Sequence, residues 1–226
     1  MSKYIIFDLD DTLLDFQKGE VEGVKKILKT NGVADIHQGF STYQTINQKV
    51  WQQIESGVPR QPLLDTRFSK TLVLFDIDAN GVKLEAEYRE MLNHNFYTLP
   101  GAAALLDSLK QNDFTLFVGT NGVKKTQFDR LEGSGLLKYF DDYFISEDIG
   151  FSKPSTEFFS PIFKKYQQLT RENTFMIGDH LQSDILEANR VGLRSIWYNP
   201  NEMDNTFDYQ PTYTANSYDQ IKQILL

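Results

Sequence analysis

No cysteine occurs among the 226 residues, which excludes disulfides, thiolate nucleophiles and cysteine-ligated metals. Nor is there an excess of positive charge: 23 basic residues stand against 31 acidic ones, a formal net charge of −8. Non-specific attraction to a nucleic-acid polymer or an anionic membrane surface is therefore disfavoured, and a small-molecule partner is expected. No N-terminal run joins basic residues to a long apolar core, and no run approaches the ~18 apolar residues of a membrane span. A cytoplasmic protein without a membrane partner, monomeric or weakly dimeric, is expected. Internal repeats, charge blocks and low-complexity segments are also missing.

What is present is an alternation of short apolar runs and helical patterns. The runs are Tyr4-Ile5-Ile6-Phe7, Thr115-Leu116-Phe117-Val118, Asp142-Tyr143-Phe144-Ile145, Thr174-Phe175-Met176-Ile177 and Arg194-Ser195-Ile196-Trp197. Between and around them, residues 101–111, 124–136, 157–169, 184–191 and 218–226 repeat apolar positions every three or four residues, as helices do. This predicts an α/β fold, a Rossmann-like parallel sheet with helices on both faces, and one more short strand is expected between residues 199 and 217. Residues 15–97 differ. Val21, Val24, Ile27 and Leu28, then Ile46, Val50 and Ile54, then Leu72, Leu74 and Phe75 recur at helical spacing, with breaks at Asn31-Gly32, Gly57-Val58-Pro59 and Asn80-Gly81. About four helices are predicted there. The organisation expected is a core of residues 1–14 and 98–226 with an all-helical cap, 15–97, inserted after the first strand. Open α/β sheets bind ligands at that end of the strand, so the insert is placed to act as a lid.

The first strand runs into Asp8-Leu9-Asp10-Asp11-Thr12-Leu13-Leu14. In an extended segment Asp8 and Asp10 point to one side and Leu9 to the other. Two carboxylates sharing a pocket repel unless a cation or a proton lies between them. Three more strand ends carry polar groups. Val118-Gly119-Thr120-Asn121-Gly122 offers a hydroxyl, an amide and backbone N–H groups before a helix, a setting that binds phosphate. Gly150-Phe151-Ser152-Lys153-Pro154 leaves an amine free to reach inward from a loop, with Pro154 expected to open a helix. Gly178-Asp179-His180-Leu181-Gln182-Ser183-Asp184 again sets acids after a strand. Each is commonplace alone, as a turn, a cap or a solvated loop. Their order, each behind its own strand, gives the set its specificity.

In these residues the chain resembles the haloacid dehalogenase superfamily of phosphohydrolases. Asp8 to Leu13 is similar to that family's first motif, Thr120 to its second, Lys153 to its third, and Asp179 with Asp184 to its fourth. The insert resembles its helical cap. Thr120-Asn121-Gly122, followed by Arg130-Leu131-Glu132, Gly135-Leu136 and Ile145-Ser146-Glu147, is most similar to the pyrimidine 5′-nucleotidase branch. The resemblance implies Asp8 as nucleophile. It also implies Mg²⁺ as cofactor, held by Asp8, the Asp10 carbonyl and Asp179, an all-oxygen set that suits this ion. Lys153 supplies the remaining positive charge, and Thr120 and Asn121 hold the phosphoryl oxygens. Asp10 is implied as general acid and base, and Asp184 as a support for Lys153 or for water on the metal. Dehalogenase members lack an acid at the position of Asp10, so its presence argues for phosphate. The substrate class implied is a phosphomonoester, with nucleoside 5′-monophosphates favoured. Sugar phosphates, a phosphoglucomutase-like transfer and a non-catalytic phosphate sensor remain as alternatives.

Other residues have plainer readings. His180 is expected to cap a helix start or face solvent, and His37 and His94 to lie on the surface. Asp11 and Asp15 are read as capping the entry turn. Trp51, Tyr43, Phe68 and Phe75 are read as core of the insert rather than as stacking platforms. Arg60 and Arg67 are read as exposed, within reach of a substrate tail. Pro161 is expected to kink the helix over 157–169.

Overall fold

Alternation along the first strand determines the layering. In a computed structural model describing residues 3–226, β1 (Lys3–Phe7) places Ile5 and Phe7 in one apolar cluster and Tyr4 and Ile6 in another on the opposite face. The other strands are β2 (Phe114–Thr120), β3 (Asp142–Ile145), β4 (Thr174–Gly178), β5 (Arg194–Tyr198) and β6 (Tyr213–Ala215). They form one sheet in the order β3-β2-β1-β4-β5-β6, every neighbouring pair parallel. Leu116 and Val118 of β2 face the same way as Ile5, whereas Phe117 joins Ile6. A strand buried on both sides needs cover on both. α5 (Ala102–Gln111) and α10 (Tyr218–Leu225) contribute Leu105, Leu109, Ile221 and Leu225 to the first cluster. α8 (Ser160–Lys165) and α9 (Leu186–Arg190) contribute Ile162 and Ala188 to the second. The strand order reverses direction at β1 and β4, and α/β sheets bind ligands beyond the carboxyl ends of such a pair.

The chain divides into two compact units, one made of residues up to Asp15 together with Thr98–Leu226 and the other of Phe16–Tyr97. The second consists of α1 (Phe16–Thr30), α2 (Ile36–Glu55), α3 (Arg60–Leu72), a 3₁₀ turn (Val73–Phe75) and α4 (Gly81–Asn93). Asp35 and Asn80 cap α2 and α4, their side chains accepting from the N–H of Gln38 and Lys83. Val24, Leu28, Tyr43, Phe68, Leu72 and Tyr88 share its core, Tyr43 stacking on Phe68 with ring centroids 5.0 Å apart. Trp51 packs beside Val50, Ile54 and Leu64. No helix among the described residues is long and apolar enough to cross a membrane.

Several local expectations are corrected. Residues 157–169 do not form one helix: a 3₁₀ turn (Thr156–Phe159) precedes α8, and Pro161 lies in the first turn of α8, where its missing N–H interrupts nothing. Pro154 opens no helix, since the 3₁₀ turn begins two residues later; the Lys153–Pro154 peptide is cis. The segment from Asp184 starts inside a π-helical turn, Leu181–Ile185, which runs into α9. Leu74 is exposed, because the tighter 3₁₀ turn rotates it off the apolar face that Leu72 and Phe75 present to the core. Arg67 is buried and bidentate with Glu85, at 2.8 and 3.0 Å, and also reaches Asn47.

Candidate active site

The chain leaves β1 under backbone control. Asp8 donates its N–H to the Ile177 carbonyl of β4 at 2.9 Å, one residue past the strand. The Leu9 carbonyl then accepts from the N–H groups of Leu13 and Leu14 at 2.9 and 2.8 Å, closing a turn around fully buried Leu9. Asp11 takes up φ 55° within it, a left-handed conformation that aspartate tolerates better than most residues.

Lys153 is the centre of the cluster that results. Its side chain is 1% exposed, and its Nζ donates to Asp8 Oδ1 at 2.7 Å and to Asp184 Oδ1 at 2.5 Å. Asp184 is fixed in turn by the His180 N–H on Oδ2 at 3.1 Å and the Ser183 hydroxyl on Oδ1 at 3.3 Å. The last residue of β4 must be Gly178 for this to fit, because a Cβ there would lie 2.1 Å from Asp184 Oδ2. Asp179 is tied to the first motif, its N–H donating to Thr12 Oγ1 at 3.0 Å and its carbonyl accepting from Trp197 Nε1 at 2.8 Å.

Asp8, Asp179 and Asp184 each bring one carboxylate oxygen within 4.8 Å of the others. Burial pushes the Asp8 carboxyl up to about 8, against the pull of Lys153, and Asp184 and Asp10 raise it further. Burial also drives Asp179 well above the ordinary carboxylate range, with Asp8 and Asp184 adding to the effect. Burial works against the charge of Lys153 too, but Asp184 and Asp8 outweigh it and hold the ammonium. Three clustered acids therefore face one cation. Three hard oxygen donors, of which Asp8 and Asp179 ionise reluctantly for want of positive charge, fit a small divalent ion such as Mg²⁺.

The remaining residues singled out from the sequence lie at the same strand ends, with different partners from those expected. The Asp10 carboxylate does not share one set of contacts with Asp8. The chain turns after Phe7, and Asp10 instead binds Arg130 and accepts from Gln127 Nε2 at 2.8 Å, both on α6 (Lys124–Gly133). Thr120, buried, ends β2, and its Oγ1 accepts from the Gly122 N–H at 3.1 Å. Asn121 spends its side-chain amide on the Lys153 backbone: Nδ2 donates to the carbonyl and Oδ1 accepts from the N–H, both at 2.8 Å. That clamp holds the lysine loop. His180 precedes the π-helical turn and caps it, accepting from the Ser183 N–H at Nδ1; His37 and His94 are exposed. Thr12, Gln127, Arg130 and Trp197 were not anticipated as site residues. Thr12 and Arg130 stand in segments that carry the resemblance, and Gln127 lies three residues before Arg130, a spacing that puts the two on one helix face.

The haloacid dehalogenase-like hydrolase family model matches residues 5–198. Pyrimidine 5′-nucleotidase PynA of Streptococcus pneumoniae is 39% identical over 224 residues, 99% of this chain and 94% of that one. Pyrimidine 5′-nucleotidase YjjG of Escherichia coli is 29% identical over 98% of this chain and 97% of its own. Among solved structures, the putative hydrolase YfnB from Bacillus subtilis, bound to magnesium, superposes with a TM-score of 0.91 at 36% identity, covering 99% of this chain and 98% of that one.

Proposed function

This chain belongs to the haloacid dehalogenase-like hydrolase family, and from that premise we propose that it is a Mg²⁺-dependent phosphomonoesterase that works through an aspartyl phosphate on Asp8 and acts on nucleoside 5′-monophosphates. The observation that carries the reading is the buried Asp8 carboxylate, held 2.7 Å from Lys153 and grouped with Asp179 and Asp184. An attacking carboxylate and a phosphate dianion repel unless positive charge lies beside both. Lys153 provides part of it. Asp8 and Asp179 are the side chains that would hold Mg²⁺ together with the Asp10 carbonyl, with Asp184 in support beside them, and the ion when bound supplies further charge neutralisation for phosphoryl transfer.

The rest of the cycle is assigned to side chains. An Asp8 carboxylate oxygen bonds to phosphorus as the ester P–O bond breaks, and Asp10 delivers a proton to the departing alkoxide. Water then attacks the phosphoryl group while Asp10 takes its proton, releasing phosphate and restoring the Asp8 carboxylate. Thr120 Oγ1 and the Asn121 N–H hold the phosphoryl oxygens as charge spreads over them. Asp184 keeps Lys153 aimed at Asp8. Nucleotides are preferred as substrates because two of the relatives matched over nearly their whole lengths, PynA and YjjG, carry the pyrimidine 5′-nucleotidase name.

The test is release of inorganic phosphate from a panel of nucleoside monophosphates and sugar phosphates, with Mg²⁺ or EDTA, beside Asp8→Asn. Release that needs metal, favours pyrimidine nucleotides and disappears in the variant is expected. Preference for sugar phosphates would overturn the substrate assignment alone. No release from any compound would overturn the phosphatase reading.

A further inference from the structure

Two fully buried polar residues of α6 lie between Asp10 and Thr120. Gln127 Nε2 donates both to Asp10 Oδ2, at 2.8 Å, and to Thr120 Oγ1, at 3.2 Å. Arg130 pairs with Asp10 Oδ1, and its Nη1 also donates to Gln127 Oε1 at 3.2 Å. The two oxygens of the Asp10 carboxylate are thus each engaged from one helix, by side chains one turn apart that also bond to each other. Burying a guanidinium and an amide is costly unless they are well paired. The backbone is shaped to admit them: a Cβ at Gly122 would fall 2.1 Å from Gln127 Nε2 and 2.6 Å from its Cδ, so only glycine leaves room for the amide. A helix built to fill a core would place apolar residues here, as α6 does at Leu131.

We propose that Gln127 and Arg130 are positioning residues of the reaction, Arg130 fixing the direction of the Asp10 carboxylate and Gln127 locking it in register with the Thr120 hydroxyl. The proposal deepens the phosphatase reading and rests on it. Asp10 must meet the leaving oxygen while Thr120 holds an oxygen on the same phosphorus, so the separation between them has to be constant. The β1–β2 ladder holds the strand ends, with Phe7 opposite Val118, but Asp10 lies three residues past β1 in the turn that follows, so the ladder does not set the direction of its side chain. The α6 pair joins the two strand ends directly, and loosening it should impair proton delivery rather than binding.

Leaving-group dependence tests this. An alkoxide needs its proton from Asp10, whereas a nitrophenolate leaves without one. In Arg130→Met and in Gln127→Met, kcat/KM for a nucleoside monophosphate is expected to fall about 100-fold, in the usual range for general acid catalysis, while that for p-nitrophenyl phosphate falls less than about 5-fold. Arg130→Lys should recover part of the loss on the nucleotide. Adding Arg130→Met to Asp10→Asn should cost little more than Asp10→Asn alone, since a residue acting through Asp10 has nothing left to position. Equal losses on both substrates, additive losses in the double variant, or no loss at all would overturn the proposal while leaving the phosphatase reading intact. A wild-type enzyme inactive on both substrates would overturn both. Gln127→Met keeps the Asp10–Arg130 pair, so the comparison survives if Arg130→Met does not fold.

Discussion

Glu187 is a carboxylic acid without a hydrogen-bond partner among the described residues. It lies on α9, fully buried, and both carboxylate oxygens are enclosed. Burial pushes its carboxyl from an ordinary 4.5 up to about 9; Lys153 and Arg190 pull it down, and Asp184 and Glu157 push it up. In the unfolded chain the group ionises near 4.5, while in the fold it keeps its proton to about 9. Between those values the native state binds the extra proton. The stability Glu187 contributes is therefore complete below about pH 4.5 and is lost progressively as pH rises towards 9. Each pH unit in that window removes at most about 1.4 kcal/mol. Between pH 5.5 and 8.0 the ceiling is about 3.4 kcal/mol, and a little under half of that is expected once the surroundings relax around the charge. Glu187→Gln keeps the shape and cannot ionise. Urea unfolding of both proteins in EDTA, followed by circular dichroism, should show the variant close to wild type at pH 5.5 and gaining about 1.5 kcal/mol on it by pH 8.0. Parallel pH profiles for the two proteins would refute the reasoning, because the difference between them isolates this one group.

Two further outcomes follow from packing. Arg67→Met takes from the almost inaccessible Glu85 carboxylate its partner at 2.8 Å and leaves it Arg89 at 3.7 Å; a loss of about 3 kcal/mol, the lower end for a broken buried pair, is expected, with most of it recovered in Arg67→Met with Glu85→Leu, and equal melting temperatures for the single and double variants would refute this. Gly178→Ala places a methyl 2.1 Å from Asp184 Oδ2, so the carboxylate must move and the lysine with it; phosphate release should fall about 100-fold, as misplacements of about 1 Å do, and wild-type turnover would show that Asp184 does not set the position of Lys153.

The sheet was legible because its signal is local. Each of the five runs identified in the sequence falls within one strand, and an apolar run buried on both faces has few alternatives to a covered parallel sheet. Helix boundaries were less legible where tertiary packing chose a tighter or wider turn. Phe158 and Phe159 both enter the core from a 3₁₀ turn, whose bounds the apolar spacing does not mark. Arg67 was misread for a related reason. Its burial depends on Glu85, eighteen residues away on another helix, and periodicity assigns no partner to a charge.

The same distinction runs through the candidate site. The acids could be located from sequence because each follows its own strand, yet their electrostatic state depends on pairings that join residues 8 with 153 and 10 with 130. Asp10 has the Arg130 guanidinium beside it. Asp8, Asp179 and Asp184 do not balance against Lys153 alone, and burial expresses the shortfall as carboxyls that hold their protons: Asp8 to about 8 and Asp179 well above the usual range. A counter-charge of two would let Asp8 and Asp179 ionise beside the single ammonium. The sequence shows where the carboxylates are. Only their burial and pairing show that this cluster, and not the pair at Asp10, is short of positive charge.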